Sequence, residues 1–169
     1  MFRAKDDLSS PSPLLSQQGT DMTVTHSESG MALKRVVGGS YDNGFLSVPF
    51  VLSPGTTVNI LARKVGAGSA FFRFGLTNNG LEDGIGFSFG QNEITVVSGS
   101  AGVIDVGLAQ FDKYYRFGFK VRDDQQVDLY FSNNKVVTLP APVSPVRLAL
   151  GASFYEQLSV EYKNLKIKA

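Results

Sequence analysis

From Met31 onward, apolar and polar positions alternate in short runs, and each run ends at residues that favour turns. Tyr115, Phe117, Phe119 and Val121 are separated by Arg116, Gly118 and Lys120, with Arg122 next, and Val127, Leu129 and Phe131 alternate with Asp128, Tyr130 and Ser132. A period of two belongs to strands with one buried and one wet face. Joined through Asp123, Asp124, Gln125 and Gln126, these two runs make a hairpin. Its wet face sets Lys120 and Arg122 near Asp128, where cross-strand charge pairing contributes about 0.2–1 kcal/mol. The same pattern predicts strands over 33–37, 45–52, 58–65, 70–77, 85–89, 93–97, 103–106, 115–122, 127–132, 135–139, 146–151 and 158–167. In the last of these, Leu158, Val160 and Tyr162 share one phase and Leu165 and Ile167 the other, so a β-bulge around Lys163 and Asn164 is required to keep both sets on the core. Asp42-Asn43-Gly44, Ser53-Pro54-Gly55, Asn78-Asn79-Gly80 and Asn133-Asn134 supply turn backbone. No window of a dozen residues free of Gly and Pro keeps a helical period. An all-β antiparallel sandwich, a jelly roll, is the expected fold class.

The first 30 residues read differently. Ser, Thr, Gln, Pro and Gly supply 15 of them, and the eight apolar residues are scattered. Such a stretch buries too little surface to offset its ordering entropy, and Ser9-Ser10-Pro11-Ser12-Pro13 stops any helix before it. The expected organisation is an extended N-terminal arm over 1–30 and a sandwich over 31–169. The arm becomes ordered by lying on something else, with Phe2, Leu8, Leu14 and Leu15 as docking anchors on another chain.

Composition removes several chemistries. The 169 residues are 43% hydrophobic and 18% charged, with no Cys and one His. There is therefore no disulfide framework and no thiolate metal site, and His26 alone makes neither a zinc site nor a triad. The acidic pairs Glu82-Asp83 and Asp123-Asp124 fall short of the six to eight oxygens calcium takes. No cofactor and no metal are expected. The formal net charge of +1 gives no overall field for nucleic acid or an anionic membrane, and no apolar run approaches a membrane span. Gly66-Ala67-Gly68-Ser69 and Gly84-Ile85-Gly86-Phe87 lack the following helix a phosphate cradle needs. The Arg116, Lys120 and Arg122 face, with Tyr114 and Tyr130 as neighbouring rings, reads as a salt-paired solvated surface because Asp112, Asp123, Asp124 and Asp128 interleave with it.

The segments FDKYYRFGFKVRDDQQVDLYFSNNKVVTL (111–139), VRLALGASF (146–154) and LSVEYKNLKI (158–167), with FFRFGLTNNGLEDGIGFSFGQNEITVV (71–97) before them, resemble concanavalin A-like and laminin-G-like jelly rolls over roughly residues 40–168. The resemblance implies fold far more than function. Glucanases of that superfamily place Glu-x-Asp-x-Glu on one strand, so that period two aims all three carboxylates into the cleft. The nearest spacing here is Asp124, Gln126 and Asp128, across a turn. No catalytic residue is assigned, and the expectation is a protein that is not an enzyme.

The resulting expectation is a structural protein of a larger assembly, a virion accessory such as a bacteriophage capsid decoration (cement) or tail-associated protein, self-associating and located in the virion. Its partners are other protein chains of that particle. One alternative is a lectin-like carbohydrate-binding module or a phage adhesin or tail-fibre domain, soluble in the cytoplasm or outside the cell; a glucanase-type hydrolase is the second. Tyr41, Phe71, Tyr114, Tyr130 and Tyr155, read as outward or in loops, are the candidate ligand or interface residues, since an exposed ring stacks on a sugar or anchors a protein contact.

Overall fold

A computed structural model describes residues 3–39, 45–65, 72–78, 80–152 and 159–169. The strands are β1 (Arg3–Asp6), β2 (Ser16–Gln18), β3 (Met22–Ser27), β4 (Gly30–Arg35), β5 (Phe45–Ser47), β6 (Thr57–Val65), β7 (Phe72–Thr77), β8 (Ile85–Phe89), β9 (Glu93–Ser98), β10 (Ala101–Leu108), β11 (Tyr115–Val121), β12 (Gln126–Phe131), β13 (Asn134–Pro140), β14 (Arg147–Gly151) and β15 (Ser159–Lys168), with a 3-10 turn at Leu81–Asp83. They form two antiparallel sheets. Sheet I runs β13-β12-β11-β6-β15-β4-β3, with β1 also paired to β15, and sheet II runs β10-β9-β8-β7-β14-β5-β2. The protein is an all-β jelly-roll sandwich.

Alternation decides what fills the space between the sheets. Phe72, Phe74, Phe87 and Phe89 point inward from β7 and β8 and meet Phe117, Phe119 and Tyr162 from sheet I, all at most 1% exposed. The Phe117 ring sits 4.7 Å from both Phe74 and Phe87, so aromatic contacts join one sheet to the other. Each such side chain stabilises the fold by roughly 1.5–3 kcal/mol on burial. The Tyr162 hydroxyl, buried among them, donates to the Gly151 carbonyl at 2.7 Å, which removes the cost of an unpaired polar group. The bulge in β15 lies where the parity slip requires it: the register against β6 shifts between Lys163 and Lys166, and Asn164 takes a φ of 54°. Val160, Tyr162, Leu165 and Ile167 are thereby all buried.

The expected N-terminal arm is corrected by three strands. Residues 3–6 pair with β15, 16–18 with β5 and 22–27 with β4, so the segment adds to both sheets of its own domain. A ladder needs backbone donors and acceptors, which a polar sequence supplies as well as an apolar one. Of the expected anchors, Leu8 is fully buried, and Leu14 and Leu15 pack half-buried against the core. Phe2 lies outside the described residues. Leu8 holds a φ of 65°, its N–H donating to Asp6 Oδ1 at 2.8 Å, and its carbonyl accepts from His26 Nδ1 at 3.1 Å. The strand expected over 45–52 ends at Ser47, because Pro49 has no N–H for the ladder.

Candidate functional site

The outer face of sheet II is built on small residues. Ser47, Ala149, Gly75, Gly86 and Val97 follow one another across β5, β14, β7, β8 and β9. Over this strip the 3-10 turn folds Leu81, 4% exposed, which packs with Phe45 and Ala149 as a small cluster separate from the main core. Beside that cap opens a cavity of about 300 Å³, lined by Gln18, Phe45, Ser47, Asn78 and Arg147 among others. Four elements meet here, and one of them is β2, from the segment expected to be an arm.

The lining is polar and only partly committed. The Ser16 hydroxyl donates to the Ser47 carbonyl at 3.4 Å, and Gln18 Nε2 donates to Ser16 Oγ at 3.1 Å, leaving the Gln18 side-chain carbonyl available as an acceptor. Thr77 Oγ1 donates to the Gly80 carbonyl at 2.6 Å. Among the described residues Arg147 is the one charged member of the lining, and its guanidinium has no ion pair or hydrogen bond with any of them. Phe45, Val48 and Pro49 supply apolar wall. A concave site with apolar walls and a few aimed polar groups is the usual form of a small-molecule site. The carboxylates of this outer face lie elsewhere on it: Asp105 of β10 accepts from Thr95 Oγ1 at 2.8 Å, and Glu93 is exposed on β9.

The sequence candidates are dispersed. Tyr41, Phe71 and Tyr155 lie outside the described residues. Tyr114 is held on the outer face of sheet I by its own chain: its hydroxyl meets the Ser29 carbonyl and Glu161 Oε2, the latter at 3.0 Å, with the Arg63 guanidinium 4.6 Å and Lys163 Nζ 4.1 Å from the ring centre. Arg63 in turn pairs with Glu161 at 2.6 Å. Burial, and then the Glu161 carboxylate, push the Tyr114 phenol well above its ordinary pKa. Tyr130 is half-buried on the same sheet, over a dip at Gly118. Of the two acidic pairs, Asp124 is bound to Arg122 at 3.0 Å, and among the described residues no group of three or more His, Asp or Glu is close enough to share a metal ion. The residues that sequence reading missed are Gln18, Asn78 and Arg147. No motif joins them, because they meet only through the pairing of β2, β5, β14 and β7.

Three solved structures place this geometry among known proteins. A Crh5 transglycosylase, solved in complex with NAG, shares a TM-score of 0.72 at 12% identity over 98% of this chain and 83% of its own. The β-glucanase of Bacillus licheniformis gives 0.67 at 14% over 100% and 99%, and the carbohydrate binding module CBM66 from Bacillus subtilis 0.64 at 10% over 92% and 96%. These are sandwiches of carbohydrate chemistry. At such identities the likeness establishes the fold alone. No protein-family model and no curated protein sequence matches the chain.

Two expectations are corrected by these neighbours. The virion accessory role rested on the arm and on analogy; the arm is built into the sheets, and the similar structures are a transglycosylase, a glucanase and a carbohydrate binding module. The expectation of a protein that is not an enzyme fails on the same neighbours, two of which are named as enzymes of sugar chemistry. Among the described residues no helix is long and apolar enough to cross a membrane.

Proposed function

We propose that this domain recognises carbohydrate in the cavity on the outer face of sheet II. The observation that carries the reading is the uncommitted guanidinium of Arg147, set beside the Asn78 amide and the Gln18 carbonyl over an apolar wall that includes Phe45. A sugar offers hydroxyls that both donate and accept, and a C–H face suited to an apolar wall; this lining offers the complements of both. The likeness to a carbohydrate binding module over 92% of the chain supports the reading from the side of the fold.

A panel of polysaccharides and oligosaccharides, scored by affinity electrophoresis and calorimetry, tests it. The wild-type protein is expected to retain at least one neutral glycan, with Arg147→Ala and Asn78→Ala each weakening it about tenfold. A panel that yields no ligand, or a ligand indifferent to both substitutions, overturns the proposal. The transglycosylase and glucanase neighbours favour a second reading, a glycan-cleaving or glycan-transferring enzyme whose carboxylates come from the same outer face, namely Glu93 and Asp105. Release or transfer of sugar by wild-type protein, abolished in Glu93→Gln or Asp105→Asn, supports it; no turnover on any member of the panel removes it.

A further inference from the structure

On the opposite side of the sandwich, pairing brings cations together that are far apart in sequence. One cross-strand row of sheet I reads Lys5, Lys166, Asn59, Gly118 and Tyr130, from β1 through β15, β6 and β11 to β12. The next reads Arg3, Lys168, Thr57, Lys120 and Asp128. Residues directly opposite in an antiparallel pair point to the same face, so Lys5 stands against Lys166, and Arg116 and Lys120 flank Gly118 along β11.

Lys5, Arg116, Lys120, Lys166 and Lys168 are all exposed, and none makes an ion pair among the described residues. Like charges directly opposite destabilise a sheet. Carboxylates near this face are engaged with other cations: Glu161 with Arg63, Asp124 with Arg122, and Asp128 with Thr138, Arg122 and Lys135, while exposed Asp123 borders only the Lys120 end of the face. The missing side chain at Gly118 leaves a dip of about 270 Å³ bordered by Asn59, Tyr130, Arg116 and Lys120. It adjoins a second hollow of about 190 Å³ beside Asn164 and Lys166, with Asn59 and Arg116 lining both. At about 4.8 Å between strands, β15 to β12 spans roughly 14 Å.

We infer that this groove binds an acidic polysaccharide chain, with its anionic groups on Arg116, Lys120, Lys166 and Lys5 and one sugar ring against Tyr130. Charge complementarity selects an anionic occupant. The half-buried Tyr130 ring, with the Asn59 and Asn133 amides beside it in the dip, suits a sugar. A nucleic acid strand calls instead for a succession of rings on which its bases stack. The inference is independent of the sheet II cavity, since the two sites share no residue.

Affinity electrophoresis through gels holding polygalacturonate, dextran sulfate or unmodified dextran tests it, with a single-stranded DNA oligonucleotide in a parallel shift assay. Retardation is expected from an acidic chain and not from dextran, and it fades as salt rises to about 0.5 M. The polygalacturonate and dextran sulfate arms distinguish carboxylate from sulfate as the recognised group. Both Arg116→Gln/Lys120→Gln and Lys5→Gln/Lys166→Gln are expected to weaken binding about tenfold or more. The Lys5→Gln/Lys166→Gln protein, relieved of repulsion, melts no lower than wild type, which separates lost binding from lost folding. Indifference to both acidic chains, equal retardation by dextran, DNA bound as tightly as either acidic chain, or unchanged binding in both double variants overturns the inference.

Discussion

Gly75 of β7 and Gly86 of β8 stand directly opposite each other, so close that a methyl group on either would lie 2.7 Å from the other's Cα. The atoms in the way belong to backbone, which cannot swing aside as a side chain does. This contact lets β7 and β8 approach beneath Leu81 and so shapes the strip that borders the sheet II cavity. Gly75→Ala and Gly86→Ala are each expected to destabilise the fold by about 1–3 kcal/mol, the cost of overpacking. Urea denaturation reads this as a lowered midpoint with unchanged slope; a midpoint equal to wild type in both would show that the strands separate freely.

The Asp128 carboxyl is set by opposing influences. Burial disfavours its charge, yet the 2.6 Å hydrogen bond from Thr138, with the charges of Lys135 and Arg122, outweighs burial and holds it below the usual carboxylate range. A carboxyl whose folded pKa is depressed contributes stability above its unfolded value, near 4, and loses it as pH falls through the folded one. Asp128→Asn is therefore less stable than wild type at neutral pH, by a gap that narrows below about pH 4. Urea midpoints across that range check the closing of the gap, and a gap constant with pH would show that the charge of Asp128 plays no part.

The hairpin of β11 and β12 was legible residue by residue because each inward position is a large apolar side chain and each outward one is not. The bulge in β15 was legible for the same reason, since parity alone demands it. The pairing of Lys120 with Asp128 was half legible: they face each other in register, but Asp128, only 5% exposed, takes Arg122 and Lys135 as its ion partners. β1, β2 and β3 were not legible. Their ladders run through backbone, and composition speaks only of side chains. Both candidate sites depend on that segment, Gln18 for the cavity and Lys5 for the basic row, so reading it as an arm hid them together. Of the interleaved Asp residues that made the Arg116 face look neutral, Asp112, Asp123 and Asp124 are neighbours in sequence and Asp128, opposite Lys120, is taken by Arg122 and Lys135, whereas the pairing of Lys5 with Lys166 that makes the face basic is visible only across strands.

Tyr114 ties the Ser29 turn to β15 through Glu161. Tyr114→Phe removes a hydrogen bond and leaves the ring between its cations, at an expected cost of about 0.5–1.5 kcal/mol. The wild-type phenol keeps its proton in the folded state while the unfolded chain ionises near pH 10, so folding binds the extra proton and this contribution falls as pH rises above about 10. Thermal melts should show the wild type losing its margin over Tyr114→Phe through that range. An unchanged margin would place the phenol in contact with solvent.

Lys64 produces the opposite slope. It is fully buried on β6, with Nζ donating to the Gly90 carbonyl at 3.2 Å and the Gln91 carbonyl at 2.7 Å and lying 4.2 Å from the Phe111 ring centre. No carboxylate among the described residues pairs with it, and burial lowers its pKa. In the window between that lowered value and the unfolded one near 10.4, the unfolded chain binds more protons, so this group's contribution rises with pH. Lys64→Met removes the buried charge and also the donors that pin the β8–β9 turn. The two effects oppose, and a net loss of about 1 kcal/mol is expected at neutral pH, since a hydrogen bond from a charged donor contributes more than a neutral one. Hydrogen exchange locates the loss: the Gly90 N–H, bonded to the Glu93 carbonyl, and the Ala109 N–H, bonded to the Asn92 carbonyl, should exchange faster in the variant, while amides of β11 and β12 keep their protection relative to global stability. If exchange accelerates uniformly, Lys64 serves the whole core rather than the turn.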